Sequence, residues 1–133
     1  MKKLIILLFL TVSVATAQQQ NEAAKVIQKQ VEAYNARDID AFLANYSDDF
    51  IFYDFNKEVR FKGIEQMREV FGNLFQNNPD LQCTIANRIA SGNTVVDHEK
   101  VRFKKGTPIR EFVIMYIVED EKIKEAYFLK RPQ

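Results

Sequence analysis

The sequence has no tryptophan, one cysteine, one histidine, four glycines and three prolines. A lone thiol excludes an internal disulfide, so the core must hold the fold without cross-links. No repeat, low-complexity tract or proline-rich linker divides the chain, which argues against a second domain. Neither sign of charge dominates: 19 Lys and Arg stand against 18 Asp and Glu. That balance sets up no field to draw nucleic acid or an anionic membrane. Glycine-rich phosphate loops, P-loops and nucleophile elbows are also missing. What the chain does have is aromatic volume, with 11 Phe and 5 Tyr to fill an interior.

Met1-Lys2-Lys3, the apolar stretch from Leu4 to Val14 and the small residues of Ala15-Thr16-Ala17 make up the parts of a secretory signal peptide. A membrane span needs roughly 20 apolar residues, and this stretch is shorter, so no stable membrane anchor is expected. The expected division is therefore a signal peptide at 1–17 and one domain at 18–133, exported after cleavage near Ala17 to the periplasm or the medium.

Val26, Ile27, Gln30, Val31 and Tyr34 fall at helical spacing, so Glu22 to Ala36 reads as an amphipathic helix. Asp38 can cap a second, short helix from Ile39 to Asn45. Phe50 to Phe55 suits a strand, and a turn at Asn56-Lys57 leads to another at Glu58 to Phe61. Gly63 precedes a helical stretch from Ile64 to Phe75, which ends before Pro79. Four strands follow: Leu81 to Ile89, Thr94 to Lys104, Ile109 to Val118 and Ile123 to Lys130. Ile109 to Val118 is apolar on both faces around Phe112 to Ile117 and reads as a central strand covered on both sides. Helices packed on one face of such a sheet make an α+β domain.

This order resembles the nuclear transport factor 2-like, or SnoaL-like, superfamily, which includes the ketosteroid isomerase-like domains. Tyr34-Asn35-Ala36-Arg37-Asp38-Ile39-Asp40-Ala41-Phe42 resembles the family's helix-to-helix corner. Tyr46-Ser47-Asp48-Asp49-Phe50 followed by Tyr53-Asp54-Phe55 resembles its entry into the first strand. Gly63 before a helix, Gly92-Asn93-Thr94-Val95-Val96-Asp97-His98-Glu99 and Asp120-Glu121-Lys122-Ile123 complete the match. The resemblance implies a cone, with a curved antiparallel sheet wrapped on three helices around a pocket, and often a homodimer. It does not imply one activity, because isomerases, cyclases, hydrolases, dehydratases and proteins without known catalysis share the fold.

Asp54 aligns without a gap with the proton-shuttling aspartate of ketosteroid isomerases. Strand alternation sets it on one face with Phe50 and Phe52. A carboxylate among aromatic rings loses hydration and becomes a better base. The other reading has Asp54 accepting turn hydrogen bonds at a strand end. The resemblance puts Val96 and His98 on the pocket wall. His98 suits proton transfer near neutral pH, or it is a structural histidine tied to a carboxylate. Tyr34, on the helix face shared with Gln30, could donate to a ligand oxygen or simply pack in the core.

Gln30 and Ile114 replace the isomerases' two oxyanion donors, and losing one such donor typically costs about 100- to 1,000-fold in rate. Little steroid isomerisation is therefore expected. Phe128 on the last strand completes the expected pocket. No cofactor is implied. Asp97-His98-Glu99 looks like a metal cluster, but neighbouring strand residues point to opposite faces, so none is expected. Cys83 shares a face with Leu81 and Ile85 and reads as a buried, unreactive thiol.

Three functions stay open at this point. The chain could be an acid/base enzyme acting on a small organic molecule, with Asp54 as base and His98 or Tyr34 as partner. It could hold an apolar ligand without turnover. It could also be a dimerisation module.

Overall fold

The first helix begins at a side-chain cap. Asn21 Oδ1 accepts the Ala24 amide at 3.0 Å, and Asn21 Nδ2 donates to the carbonyl of Gly92 at 3.1 Å, tying the helix start to a distant hairpin turn. In this computed structural model residues 21–130 are described, so the signal peptide read at 1–17 lies outside the described residues. Nine elements follow in chain order: α1 (Glu22–Ala36), α2 (Ile39–Leu43), β1 (Tyr46–Asp54), β2 (Val59–Lys62), α3 (Ile64–Asn77), β3 (Gln82–Ser91), β4 (Thr94–Arg102), β5 (Arg110–Glu119) and β6 (Lys122–Lys130). Arg37 ends α1 in the left-handed conformation, and Asp38 starts α2 by accepting the Ala41 amide. The corner read from the sequence is thus built by two consecutive caps.

The six strands form one sheet in the order β2-β1-β6-β5-β4-β3. All neighbours are antiparallel except β1 and β6, which run parallel. This parallel seam is absent from the sequence reading of an antiparallel sheet. It also explains why β1 starts at Tyr46 rather than Phe50. Asn45 accepts the Ile123 amide, and Ser47 Oγ donates to the Ile123 carbonyl, so pairing with β6 draws polar residues into the strand. Gly63 opens α3 at φ 82, a left-handed value that strains any residue with a Cβ.

Helix α1 packs on β3 and β5, and α3 on β1 and β2, so the helices cover one face of the curved sheet. The core between them is aromatic. Phe42, fully buried, meets the rings of Tyr34, Tyr46, Phe71 and Phe75 with centroids 4.9 to 6.0 Å apart. Burying a side chain of this size contributes about 1.5–3 kcal/mol. Tyr46 then passes the cluster on to Phe50, and Phe50 to Phe52. This is the cone expected from the sequence, with its helices inside the curve.

Candidate functional site

Between α1, α3 and the concave side of the sheet lies a cavity of about 560 Å³. Its walls are mostly apolar; Asn73, Asn77 and Asn78 line it at the end of α3, and the ionisable groups that reach it, with their hydrogen-bond partners, fall into two sets. The first lies where α1 faces β4 and β5. Glu99 on β4 is buried, 7% exposed, and lines the cavity beside Tyr116 of β5 and Cys83 of β3. The Tyr116 hydroxyl donates to Glu99 Oε1 at 2.7 Å, and the Cys83 thiol stands 3.9 Å from Oε2. Among the described residues no cation bonds this carboxylate directly. Burial pushes its pKa up to about 7, against the lowering pull of the Tyr116 hydrogen bond. At neutral pH the group is therefore poised between giving and taking a proton.

Two more hydroxyls line the same cavity. Gln30 Nε2 donates to the Tyr46 hydroxyl at 3.0 Å, so the Tyr46 proton is turned toward another acceptor. The Tyr34 ring packs edge-on against Phe75 at 5.4 Å. Burial raises the pKa of both phenols, so they are donors and not phenolates. The Cys83 thiol is likewise pushed up by burial and by the Glu99 charge, which leaves it unreactive, as read from the sequence.

The second polar set lies on the β1–β2 side. Arg60 lines the cavity, and its Nη1 donates to Asp54 Oδ1 at 3.3 Å. Asp54 shares the inner face of β1 with Phe50 and Phe52, as alternation required, but it is engaged by Arg60 next to the cavity and is not itself part of the wall. Among the other expected pocket residues, Tyr34, Gln30, Phe52, Ile114 and Phe128 line the cavity. Phe50 is fully buried in the aromatic core and does not line it.

His98 and Val96 require a correction. The alternation on β4 has the opposite phase from the one expected: Val95, Asp97, Glu99 and Val101 are buried, and Val96 and His98 face outward. His98 Nε2 lies 2.8 Å from Glu111 Oε2 on the outer face of the sheet, partly exposed. It does not share a pocket with Asp54. The inward phase wins because Asp97, fully buried, meets Arg88 of β3 in a two-pronged ion pair at 2.7 and 2.8 Å. A signal for this was present in the sequence. An inward His98 would have carried Lys100 and Arg102 into the core with it, whereas the outward phase leaves both in solvent. Glu99 and Arg60 are the residues the sequence reading missed.

A family model for the SnoaL-like domain matches residues 27–126. No curated protein matches the sequence. Solved structures do. An uncharacterised cystatin-fold protein from Novosphingobium aromaticivorans superposes with a TM-score of 0.72 at 22% identity, over 83% of this chain and 98% of that one. A SnoaL-like protein of unknown function from Burkholderia thailandensis gives 0.67 at 23% identity, over 80% and 92%. A candidate ketosteroid isomerase from Kribbella flavida gives 0.67 at 16% identity, over 84% and 81%. Likeness at these identities speaks for the fold alone.

Proposed function

The chain belongs to the SnoaL-like domain family, and from that premise we propose that it binds a small, largely apolar organic molecule in its cone and moves a proton on it with Glu99. One observation carries this reading: a carboxyl group on the cavity wall, buried and held by the neutral Tyr116 hydroxyl, with no cation bonded to it among the described residues. A carboxyl in such a site can take a proton from a carbon next to a carbonyl and return it elsewhere. Tyr46, whose oxygen is already occupied by Gln30, supplies a hydroxyl proton to a ligand oxygen. The role first read for Asp54 passes to Glu99, because Asp54 is engaged with Arg60.

Deuterium exchange tests the proposal. The protein is incubated in D2O with cyclic ketones such as 2-tetralone and cyclohexanone, and loss of the α-proton signals is followed by NMR. Wild type should accelerate exchange and E99Q should not, while D54N retains it. Exchange that survives in E99Q, or that fails only in D54N, would return the role to Asp54. Binding without exchange would leave a carrier in place of a catalyst.

The outer face of the sheet is proposed to join two copies of the chain. Ile89, Val96, Met115, Tyr127, Tyr53 and Val59 stand opposite one another on successive strands, an apolar row across all six. Ile89 and Val59 are more than half exposed. Rows of this kind favour a self-complementary interface. Sedimentation equilibrium at tens of micromolar, a concentration range that reveals modest affinities, should give a dimer; a monomer rejects it. Export remains proposed as well, with Gln18 as the mature N-terminus, to be read by intact mass.

A further inference from the structure

A cavity meant for any apolar molecule has no use for a guanidinium, yet one is aimed into this cavity by a fault in the sheet. Phe52 stands opposite Phe61 and Tyr53 opposite Val59, so Arg60 is the extra residue of a bulge on β2. Strict alternation would turn Arg60 away from the face that Phe61 occupies. The bulge re-aims it, and both side chains line the cavity. The guanidinium lies over the Phe128 ring at 5.2 Å and near Phe61 at 5.8 Å, so its planar faces are covered and its edges carry the hydrogen bonding.

Those edges are used unequally. Nη1 donates to Asp54. Nε is buried and has no acceptor among the described residues. A buried N–H of a cation without an acceptor is expensive. The Nε–H and the adjacent Nη2–H point in one direction and match the two oxygens of a carboxylate in a bidentate pair. On the other side of the cavity a second buried polar atom is unmet. Gln30 is 6% exposed and lines the cavity, and its Oε1 has no donor among the described residues. That oxygen and the Tyr46 hydroxyl suit a ligand hydroxyl, which can both give and accept. Arg60 on β2, Gln30 on α1, Tyr46 on β1 and Glu99 on β4 all line this one cavity, so a single molecule with oxygen at both ends can meet both polar sets.

We infer that the ligand is an amphipathic carboxylic acid, its carboxylate seated on the Nε–Nη2 edge of Arg60, its body among Phe52, Phe61 and Phe128, and a hydroxyl or carbonyl oxygen directed to Gln30, Tyr46 and Glu99. The inference rests on the reading of the cone as a ligand cavity and adds the chemical class to it. Arg60 thereby determines specificity, and the bulge is the device that lets an edge strand present it.

Acid and ester pairs test this. The probes are 6-hydroxy-2-naphthoic acid, decanoic acid and 4-phenylbutyric acid, each beside its methyl ester, titrated calorimetrically at pH 8 so that the acids are ionised. Wild type should bind at least one acid about tenfold or more tighter than its ester, as one charge-assisted bidentate contact allows. R60Q should abolish that preference by weakening the acids far more than their esters, R60K should keep part of it, and D54N, which removes a neighbouring like charge, should not weaken the acids. Thermal melts confirm that each variant is folded. Esters that bind as well as acids, or a preference that survives in R60Q, overturn the inference while the cavity reading stands. Failure of every acid and every ester to bind overturns both.

Discussion

Asp97 and Glu99 sit two positions apart on the inner face of one strand, both buried, and they face opposite fates. Asp97 meets the Arg88 guanidinium in two short bonds, and Arg88 is held in turn by Gln28 of α1. Its charge is matched, its geometry is fixed and its partners are a structural brace between helix and sheet. Glu99 looks the other way along the same strand into the cavity and has a phenol and a thiol for company. Burial is common to both; the counter-charge is not. On the proposed function, a buried carboxylate is a structural element where a cation meets it and a proton-exchanging one where neutral donors do.

Removing the brace has the largest effect expected. In D97N the shape persists but Arg88 is left half-buried without its counter-charge, which should lower stability by about 3 kcal/mol, the low end for a broken buried pair. Urea denaturation at pH 7 measures it, and a loss below about 1 kcal/mol would mean that the pair is no brace.

The second effect belongs to Glu99 and depends on pH. Its pKa is about 7 in the fold and 4.5 when exposed. Between those values the folded state holds a proton that the unfolded state has lost, so stability is full below pH 4.5 and declines as pH rises to 7. The decline attributable to this one group is about 3 kcal/mol. E99Q, which still accepts from Tyr116, should lack that decline and be more stable than wild type at pH 8. An identical pH slope in both would show that Glu99 is not the titrating group.

Tyr116 adjusts the same group more gently. Y116F removes the donor that favours the carboxylate, so the midpoint of the Glu99 titration should move upward, with about 1 kcal/mol lost in stability. Carboxyl carbon shifts followed by NMR would read the midpoint directly; a downward move contradicts the assignment. His98, on the outer face with Glu111, is the smallest case. H98N should change stability by less than about 0.5 kcal/mol and leave ligand binding unaltered. A larger change in binding would require the cavity to sense the outer face.

Most of the architecture was legible because its signals are local. The span of α1 follows from helical periodicity and its cap, and the corner at Arg37-Asp38 from one capping carboxylate. The phase of β4 was not legible in this way. Both of its faces mix apolar and polar residues, so alternation alone leaves two registers of similar appeal. The deciding interaction is Arg88 with Asp97, a pairing across strands that needs the hairpin register to be known. The bulge at Arg60 was hidden for a related reason. A bulge is a mismatch between two strands, and no single strand's pattern announces it. Gln30, Phe52, Ile114 and Phe128 were placed on the cavity wall from the sequence, while Glu99 was assigned to the wrong side with the rest of its face.

The parallel seam between β1 and β6 has a consequence for how the cone comes into being. Ser47 and Ile123, bonded across it, are 76 positions apart in the chain, and every other neighbouring pair of strands in the sheet is consecutive in sequence. The hairpins β1–β2, β3–β4, β4–β5 and β5–β6 can each zip from a nearby turn. The seam alone must wait for the two ends of the domain to meet, which makes it the contact of highest order and the slowest to close. Until β6 is made and docked, the β2–β1 ribbon with Arg60 and the β5–β4–β3 sheet with Glu99 are separate pieces. The cavity is thus a property of the whole sheet: no fragment lacking the nine-residue β6 can present both polar sets to one ligand.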